Sequence, residues 1–178
     1  QNNMAATLKR DRENLTKNRV THILSVHNNA RPVLEDMTYL CISVSDSSSQ
    51  NLIQHFKESI RFIHECRLHG GGCLIHCLAG VSRSTTILVA YLMTVTDLSW
   101  EECLAATRGV RSYVSPNFGF QQQLQEYERT LLKEVHSFLS LLAGEKKTLL
   151  GSPGWMMSAG WGLSSSSRPE LEKRGEVR

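Results

Sequence analysis

The chain has 178 residues, of which 40% are hydrophobic, and its formal net charge is +3. This length allows one domain of about 140 residues with a buried core, followed by a tail. The small charge argues against nucleic-acid binding, and no apolar run approaches the ~20 residues that a membrane-spanning helix needs. Five cysteines without CxxC spacing argue against a disulfide framework or a zinc site. They suit a reducing setting, which we expect to be cytoplasmic or also nuclear.

Short apolar runs alternate with amphipathic stretches along the first four-fifths of the chain. The polar segment before Val20 predicts a short helix at best, anchored by Leu15. Runs rich in β-branched and other apolar residues predict strands over 20–26, 39–44 and 73–77. Apolar residues at helical spacing predict helices over 51–68, 82–95 and 99–108, and one long final helix that opens at 115–117 and runs to 142.

This order of elements predicts the fold class. Strands that alternate with helices indicate an α/β fold with a mainly parallel central sheet, flanked by helices on both faces. Ligands of such sheets bind at the carboxyl ends of the strands, and the third predicted strand ends there in Cys77. We therefore expect a phosphate-binding loop between a central strand and the buried helix over 82–95.

The stretch 73–84, Cys-Leu-Ile-His-Cys-Leu-Ala-Gly-Val-Ser-Arg-Ser, carries the strongest chemical signal. Cys77 lies close to the positive end of the following helix, where a thiol ionises easily. Gly80 lets the short loop point its N–H groups at one anion, and Arg83 offers a planar fork for two phosphoryl oxygens. The predicted phosphate-binding residues are Leu78, Ala79, Gly80, Val81, Ser82 and Arg83.

Cys77 also has an ordinary interpretation, because most single cysteines are small buried core residues. The pattern His-Cys-x-x-Gly-x-x-Arg-Ser fixes several residue types at once, however. Its strand, turn and helix fall where attack of sulfur on phosphorus needs them. We therefore predict that Cys77 is a catalytic nucleophile or derives from one.

A thiolate that attacks a phosphate ester needs a general acid to protonate the leaving oxygen. Asp46 is the candidate because it follows a core strand in a Ser-rich loop, although Asp-Ser runs also serve as plain loop or capping residues. Ser84 is expected to stabilise the departing sulfur, to cap the helix, or both. His76 should point away from the phosphate by strand alternation, and we expect it to bond the backbone and orient the loop.

Several motifs resemble those of the dual-specificity protein phosphatases, within the cysteine-based protein tyrosine phosphatase superfamily. They are His-Cys-Leu-Ala-Gly-Val-Ser-Arg-Ser at 76–84, Ala-Tyr-Leu-Met at 90–93 and Pro-Asn-Phe-Gly-Phe at 116–120 with Leu124, and the spacing of Asp46 and Cys77 matches as well. The runs at 21–27, 55–58 and 93–96 are similar to the small atypical members of the Jnk-stimulatory type. The resemblance covers residues 11–140.

The resemblance implies a role for each of these residues. Cys77 would be the nucleophile, Arg83 the phosphate clamp, Asp46 the acid and Ser84 an aid to breakdown of the intermediate, while Asn117 would brace the phosphate loop. It further implies hydrolysis of phosphotyrosine and of phosphoserine or phosphothreonine in proteins of kinase signalling, such as the JNK/MAP kinase pathway. No metal or cofactor is implied.

The two ends of the chain depart from this family. Members of this type begin with a Met-Gly myristoylation signal and a strand-turn-strand, whereas this chain begins Gln-Asn-Asn-Met-Ala-Ala. We therefore expect an atypical segment over 1–10, a phosphatase domain over 11–142 without its first strands, and a disordered tail over 143–178. A lipid anchor is not expected from this start.

Other functions remain open for the same residues. A non-catalytic phosphoprotein-binding module, or an inactive truncated isoform, would follow if the altered start disabled the loop. A phosphoinositide phosphatase is favoured less, because its loop usually carries lysines, whereas Leu78, Ala79, Val81 and Ser82 are uncharged. A thiol-redox enzyme would need a partner cysteine at CxxC distance, which Cys77 lacks.

Overall fold

A computed structural model of the chain describes residues 2–144. Its first half contains α1 (Asn2–Arg10), α2 (Arg12–Lys17), β1 (Val20–Val26), β2 (Thr38–Ile42), a 3-10 turn (Ile53–His55) and α3 (Phe56–Leu68). Its second half contains β3 (Gly72–His76), α4 (Arg83–Val95), α5 (Trp100–Val110), α6 (Phe118–Thr130) and α7 (Leu132–Gly144). The predicted tail over 143–178 lies, from residue 145 onwards, outside the described residues.

The three strands form a parallel sheet in the order β2-β1-β3. Register pairs join Leu24 of β1 to Leu40 of β2 and to Ile75 of β3. The predicted α/β fold is therefore confirmed, but β3 lies at an edge of these three strands and not in the middle. Consecutive apolar residues in β3 favour a central strand. In the structure Leu74 and Ile75 are indeed both buried, one on each face of the sheet, although β3 has a neighbour on one side only among the described strands.

Alternation along the strands divides the apolar side chains between two cores. Leu24 and Ile75 belong to the larger core, which α3 and α4 cover. Ile23 and Leu74 face the opposite side and pack with Leu8 of α1 and Leu15 of α2. Helices thus cover both faces of the sheet, and the segment expected to be atypical, residues 1–10, contributes to the second core. No helix among residues 2–144 is long and apolar enough to cross a membrane.

The predicted final helix is two helices, which is a second correction. Helix α6 ends before Leu131 and α7 begins after it. Tyr127 and Val135, on opposite sides of this break, are both buried in the larger core. The apolar spacing therefore continues through the break, and the sequence pattern gave no sign of it.

Two loops that carry candidate site residues lie at the end of the sheet where the strands have their carboxyl termini. The segment after β2 contains Val44 and Asp46, and the segment after β3 begins at Cys77. Carboxyl ends of parallel strands lie side by side, so residues far apart in the chain meet there. The candidate site lies at this carboxyl end of the sheet.

Candidate active site

Cys77 lies at the bottom of the loop that joins β3 to α4 and is 2% exposed. Its Sγ accepts a hydrogen bond from the Gly80 N–H at 3.2 Å and lies 3.2 Å from the Ser84 hydroxyl oxygen. Burial acts to raise the pKa of the thiol, but hydrogen bonds from Ser84 and Gly80 and the charge of Arg83 outweigh burial, and the pKa falls below its ordinary value. The site therefore favours a thiolate.

The Ser84→Ala variant is expected to raise the pKa of the Cys77 thiol, because it removes a side-chain hydrogen bond that stabilises the thiolate. At a pH below that pKa, the rate of Cys77 alkylation by iodoacetate should fall roughly 10-fold, which corresponds to ~1.4 kcal/mol for one charge-assisted hydrogen bond. Alkylation rates measured across pH test this. Ser59→Ala is the control, because Ser59 is a buried serine of α3 whose hydroxyl has no hydrogen-bond partner in the described residues. An unchanged alkylation profile for Ser84→Ala would contradict the assignment.

The phosphate loop, residues 78–83, is contacted by the segment that leads into α6. Gly80 has a φ of +64°, and a Cβ at this position would lie 2.7 Å from Nη2 of Arg111. The guanidinium of Arg111 packs over the Tyr113 ring with its Cζ 4.6 Å from the ring centroid. The Ser115 N–H donates to the Val81 carbonyl at 2.9 Å. Glycine is therefore needed at position 80 both for its backbone conformation and for the approach of Arg111.

Arg83 is the first residue of α4 and is 5% exposed. Its Nη1 donates to the Val44 carbonyl at 3.2 Å, and its Nε lies 3.7 Å from Oδ2 of Asp46. Nε has no hydrogen-bond partner among the described residues. The Val44 carbonyl thus holds one edge of the guanidinium, and the Nε donor remains available for an oxygen atom of a bound phosphoryl group.

Asp46 and the phosphate loop are joined through a single residue, Asn117. Its Nδ2 donates to Oδ1 of Asp46 at 2.9 Å, and its backbone N–H donates to the Ser82 hydroxyl at 3.0 Å. Its Oδ1 accepts from the Phe120 N–H and caps α6. The Asp46 side chain is 34% exposed. The carboxyl group is therefore fixed beside Arg83 but remains accessible from solvent, as an acid for a bound substrate must be.

His76 precedes Cys77 and turns towards β1. Its Nε2 lies 2.7 Å from the Ser25 hydroxyl, its partner across the sheet register. Burial, followed by repulsion from His27, lowers the pKa of His76 to about 4. The ring is neutral at physiological pH. The expected bond to the backbone is not formed, because the buried Nδ1 of His76 has no hydrogen-bond partner among the described residues, and the sequence did not predict the bond to Ser25.

Exposed apolar side chains belong to the segments that form the site. Leu78 lies in the phosphate loop and is 55% exposed, Tyr113 is 57% exposed, and Phe118 at the start of α6 is 71% exposed. Leu78 and Ala79 are the exposed residues of the loop, whereas Gly80 and Ser82 are buried. Each of these side chains is available for apolar contacts with a bound molecule.

The structure thus brings Cys77, Arg83, Asp46, Ser84 and Asn117 into one site. It also adds two contributors that the sequence analysis missed, namely the Val44 carbonyl and Arg111. Neither of them belongs to a spacing pattern that the sequence reveals, since each acts through the approach of distant segments. Residues 2–144 contain no group of three His, Cys, Asp or Glu side chains that could hold a metal ion.

A buried cysteine of lowered pKa at the start of a strand-to-helix loop, followed by an arginine and faced by a carboxyl group, defines the site of a cysteine-based phosphatase. The family model for the dual specificity phosphatase catalytic domain matches residues 4–130. This chain belongs to that family, and its relatives place it among the atypical dual-specificity phosphatases.

Two relatives and one solved structure show the degree of similarity. Dual specificity protein phosphatase 22-A of Danio rerio is 68% identical over 129 residues, which cover 72% of this chain and 62% of the relative. Dual specificity protein phosphatase 22 of Homo sapiens is 56% identical over 156 residues, which cover 82% and 83% of the two chains. The crystal structure of DUSP15 aligns with a TM-score of 0.72 at 46% identity and covers 74% of this chain and 84% of that one. The chain thus spans about three-fifths of the length of the Danio rerio relative.

Proposed function

We propose that this chain is a protein phosphatase that hydrolyses phosphotyrosine, and also phosphoserine and phosphothreonine, through a cysteinyl-phosphate intermediate. The observation that carries the proposal is the Cys77 thiol, which Gly80 and Ser84 hydrogen-bond in a buried loop beside Arg83. This environment stabilises sulfur as an anion at the place where backbone N–H groups would hold a phosphoryl group.

The first step forms a bond between sulfur and phosphorus. The Cys77 thiolate attacks the phosphorus atom, the ester P–O bond breaks, and the leaving oxygen takes a proton from the Asp46 carboxyl group. Arg83 stabilises the charge that spreads over the phosphoryl oxygens in the transition state. Its Nε lies 3.7 Å from Oδ2 of Asp46, and this proximity of the two side chains supports their roles as clamp and acid.

The second step returns the enzyme to its starting state. The Asp46 carboxylate takes a proton from water, whose oxygen attacks phosphorus, and the P–S bond breaks to release phosphate. The sulfur leaves as a thiolate, which the Ser84 hydroxyl stabilises from 3.2 Å. The acid and the base of the cycle are therefore the same residue.

Protein substrates are favoured over lipids by the surface around the loop. The exposed apolar side chains of Leu78, Tyr113 and Phe118 suit the side chains of a peptide, and the loop itself carries no lysine. By family resemblance, we propose that the substrates are phosphorylated proteins of kinase signalling, such as the JNK/MAP kinase pathway. We also propose a cytoplasmic or nuclear location, where the thiol of Cys77 stays reduced.

The test is hydrolysis by the purified full chain of three substrates: a phosphotyrosine peptide, a phosphothreonine peptide of the same sequence, and a phosphoinositide in mixed vesicles. Release of phosphate from the peptides should exceed release from the lipid by roughly 10-fold or more in kcat/KM, since the loop carries no lysine to hold the extra phosphates of a lipid head group. Preference for the lipid would show a phosphoinositide phosphatase. Inertness towards all three, with retained peptide binding, would show a phosphoprotein-binding module.

A further inference from the structure

The loop that carries Asp46 is held by a glutamine that the catalytic cycle does not use. Gln123 lies on α6, and its Oε1 accepts hydrogen bonds from the Leu52 N–H at 2.7 Å and the Ile53 N–H at 2.9 Å. Its Nε2 donates to the Gln50 carbonyl at 2.8 Å. One side-chain amide therefore fixes three backbone groups between residues 50 and 53, where the loop runs into the 3-10 turn.

A second glutamine extends this network to the acid itself. The Oε1 of Gln50 accepts from the Ser45 N–H at 3.1 Å and from the Ser45 hydroxyl at 3.0 Å. Ser45 immediately precedes Asp46 in the chain. The bonds thus run from Gln123 to the backbone of Gln50, through the Gln50 side chain, to the residue that sets the backbone of Asp46.

Helix α6 touches the same loop at a third point. A Cβ on Gly119 would overlap the Ser48 carbonyl oxygen, so the loop lies directly against the backbone of α6. Gly119 and Gln123 are four residues apart and share one face of the helix. The start of α6 thus contacts the loop at three places: Asn117 at Asp46, Gly119 at Ser48, and Gln123 at residues 50–53.

Energetics favour a positioning role for these contacts. Residues 45–52 form no helix or strand, and a serine-rich segment has many alternative conformations of similar energy. Each neutral hydrogen bond contributes only about 0.5–1.5 kcal/mol, but the bonds act together on one short segment. A shift of about 1 Å in an acid is enough to slow proton transfer substantially.

We propose that Gln123, acting through Gln50, is a positioning residue that holds Asp46 in place to protonate the leaving oxygen. This inference rests on the proposed phosphatase function. Its consequence is specific: loss of Gln123 impairs proton transfer by Asp46 and leaves the Cys77 thiol and phosphate binding by Arg83 intact.

The experiment compares two substrates on the full chain. Phenyl phosphate has a poor leaving group that needs the acid, and 2,4-dinitrophenyl phosphate has a good one that does not. Gln123→Ala should lower kcat/KM for phenyl phosphate roughly 10-fold or more and change that for the dinitrophenyl ester less than about 3-fold. Gln123→Glu keeps the acceptor for Leu52 and Ile53 but loses the donor to Gln50, so we expect a smaller loss. Gln122→Ala, at the exposed neighbouring position, is the control and should change neither.

The ratio of the two rates separates positioning from instability, because both substrates report on the same folded enzyme. An equal loss with both substrates would overturn the proposal. Addition of Gln123→Ala to Asp46→Asn should cost nothing further on phenyl phosphate, since the acid is already absent. Full additivity of the two losses would likewise overturn it. If Asp46→Asn alone left the ratio unchanged, the assignment of Asp46 as the acid would fail with it, a result distinct from a failure of Gln123 alone.

Discussion

Replacement of Cys77 by serine is expected to abolish phosphate-ester hydrolysis, with a loss of roughly 10⁴-fold or more in kcat. The serine hydroxyl fits where sulfur lies but does not ionise in this loop, so no covalent intermediate forms. The hydrogen bonds that Gly80 and Ser84 direct at Sγ, and the position of Arg83, do not depend on the chemistry of sulfur. The Cys77→Ser chain should therefore still bind a phosphotyrosine peptide. Phosphate release and calorimetric peptide binding measure the two properties.

Cys41→Ser is the matched control for this variant. Cys41 is a half-buried free cysteine on β2, outside the loop, and its substitution should leave activity within about 2-fold of the unmodified chain. Burial raises the pKa of the Cys41 thiol, whereas the pKa of Cys77 is lowered, so iodoacetate should also modify Cys77 before Cys41 near neutral pH. Equal inertness of the unmodified chain and Cys77→Ser, with both binding the peptide, would contradict the catalytic assignment.

Local parts of this site could be predicted from the sequence because their geometry is local. The strand, the curled loop and the helix that carry Cys77, Gly80 and Arg83 are consecutive, so the spacing of residue types alone defines them. Ser84 follows the same reasoning, because it lies in the first turn of α4, directly after the loop that begins at Cys77. The left-handed backbone of Gly80 is likewise what a tight anion-binding loop requires.

The contacts that join distant segments could not be predicted in this way. His76 bonds Ser25 because β1 and β3 are neighbours in the sheet, and the order of strands is a tertiary property. The apolar sequence of β3 indicated burial on two faces but could not distinguish a middle strand from an edge strand that helices cover. In the sequence, Gln123 is one polar residue among several on an amphipathic helix. Only the structure shows its three hydrogen-bond partners on another segment.

Helix α6 is the element that couples the two halves of the site. Its cap, Asn117, hydrogen-bonds Ser82 of the phosphate loop and Asp46 of the loop over residues 45–52. Gly119 in the first turn of α6, and Gln123 one turn beyond it, contact the loop over residues 45–52 directly. Displacement of α6 would therefore disturb the phosphate loop and Asp46 at the same time. The position of Cys77, in contrast, is set by β3 and α4.

The Asp46→Asn variant is expected to lose roughly 10²–10³-fold in kcat/KM on phenyl phosphate, because a carboxamide does not protonate the leaving oxygen. Asparagine has the shape of aspartate and keeps an oxygen to accept from Nδ2 of Asn117, so the loop should stay in place. The loss should shrink to a few-fold on 2,4-dinitrophenyl phosphate, whose leaving group departs without a proton. A plot of rate against leaving-group pKa should accordingly be steeper for the variant.

Asp36→Asn provides the control for this prediction. Asp36 is also an aspartate paired with an arginine, at 2.6 Å from Arg12, but it is half-exposed and lies outside the site. Exposed pairs of this kind contribute little to stability, so Asp36→Asn should change the rate on neither substrate. A similar small loss for Asp46→Asn on both substrates would mean that another residue supplies the proton. A strong loss confined to phenyl phosphate requires a proton donor at position 46, since removal of the Asp46–Arg83 ion pair alone would weaken phosphate binding for both esters alike.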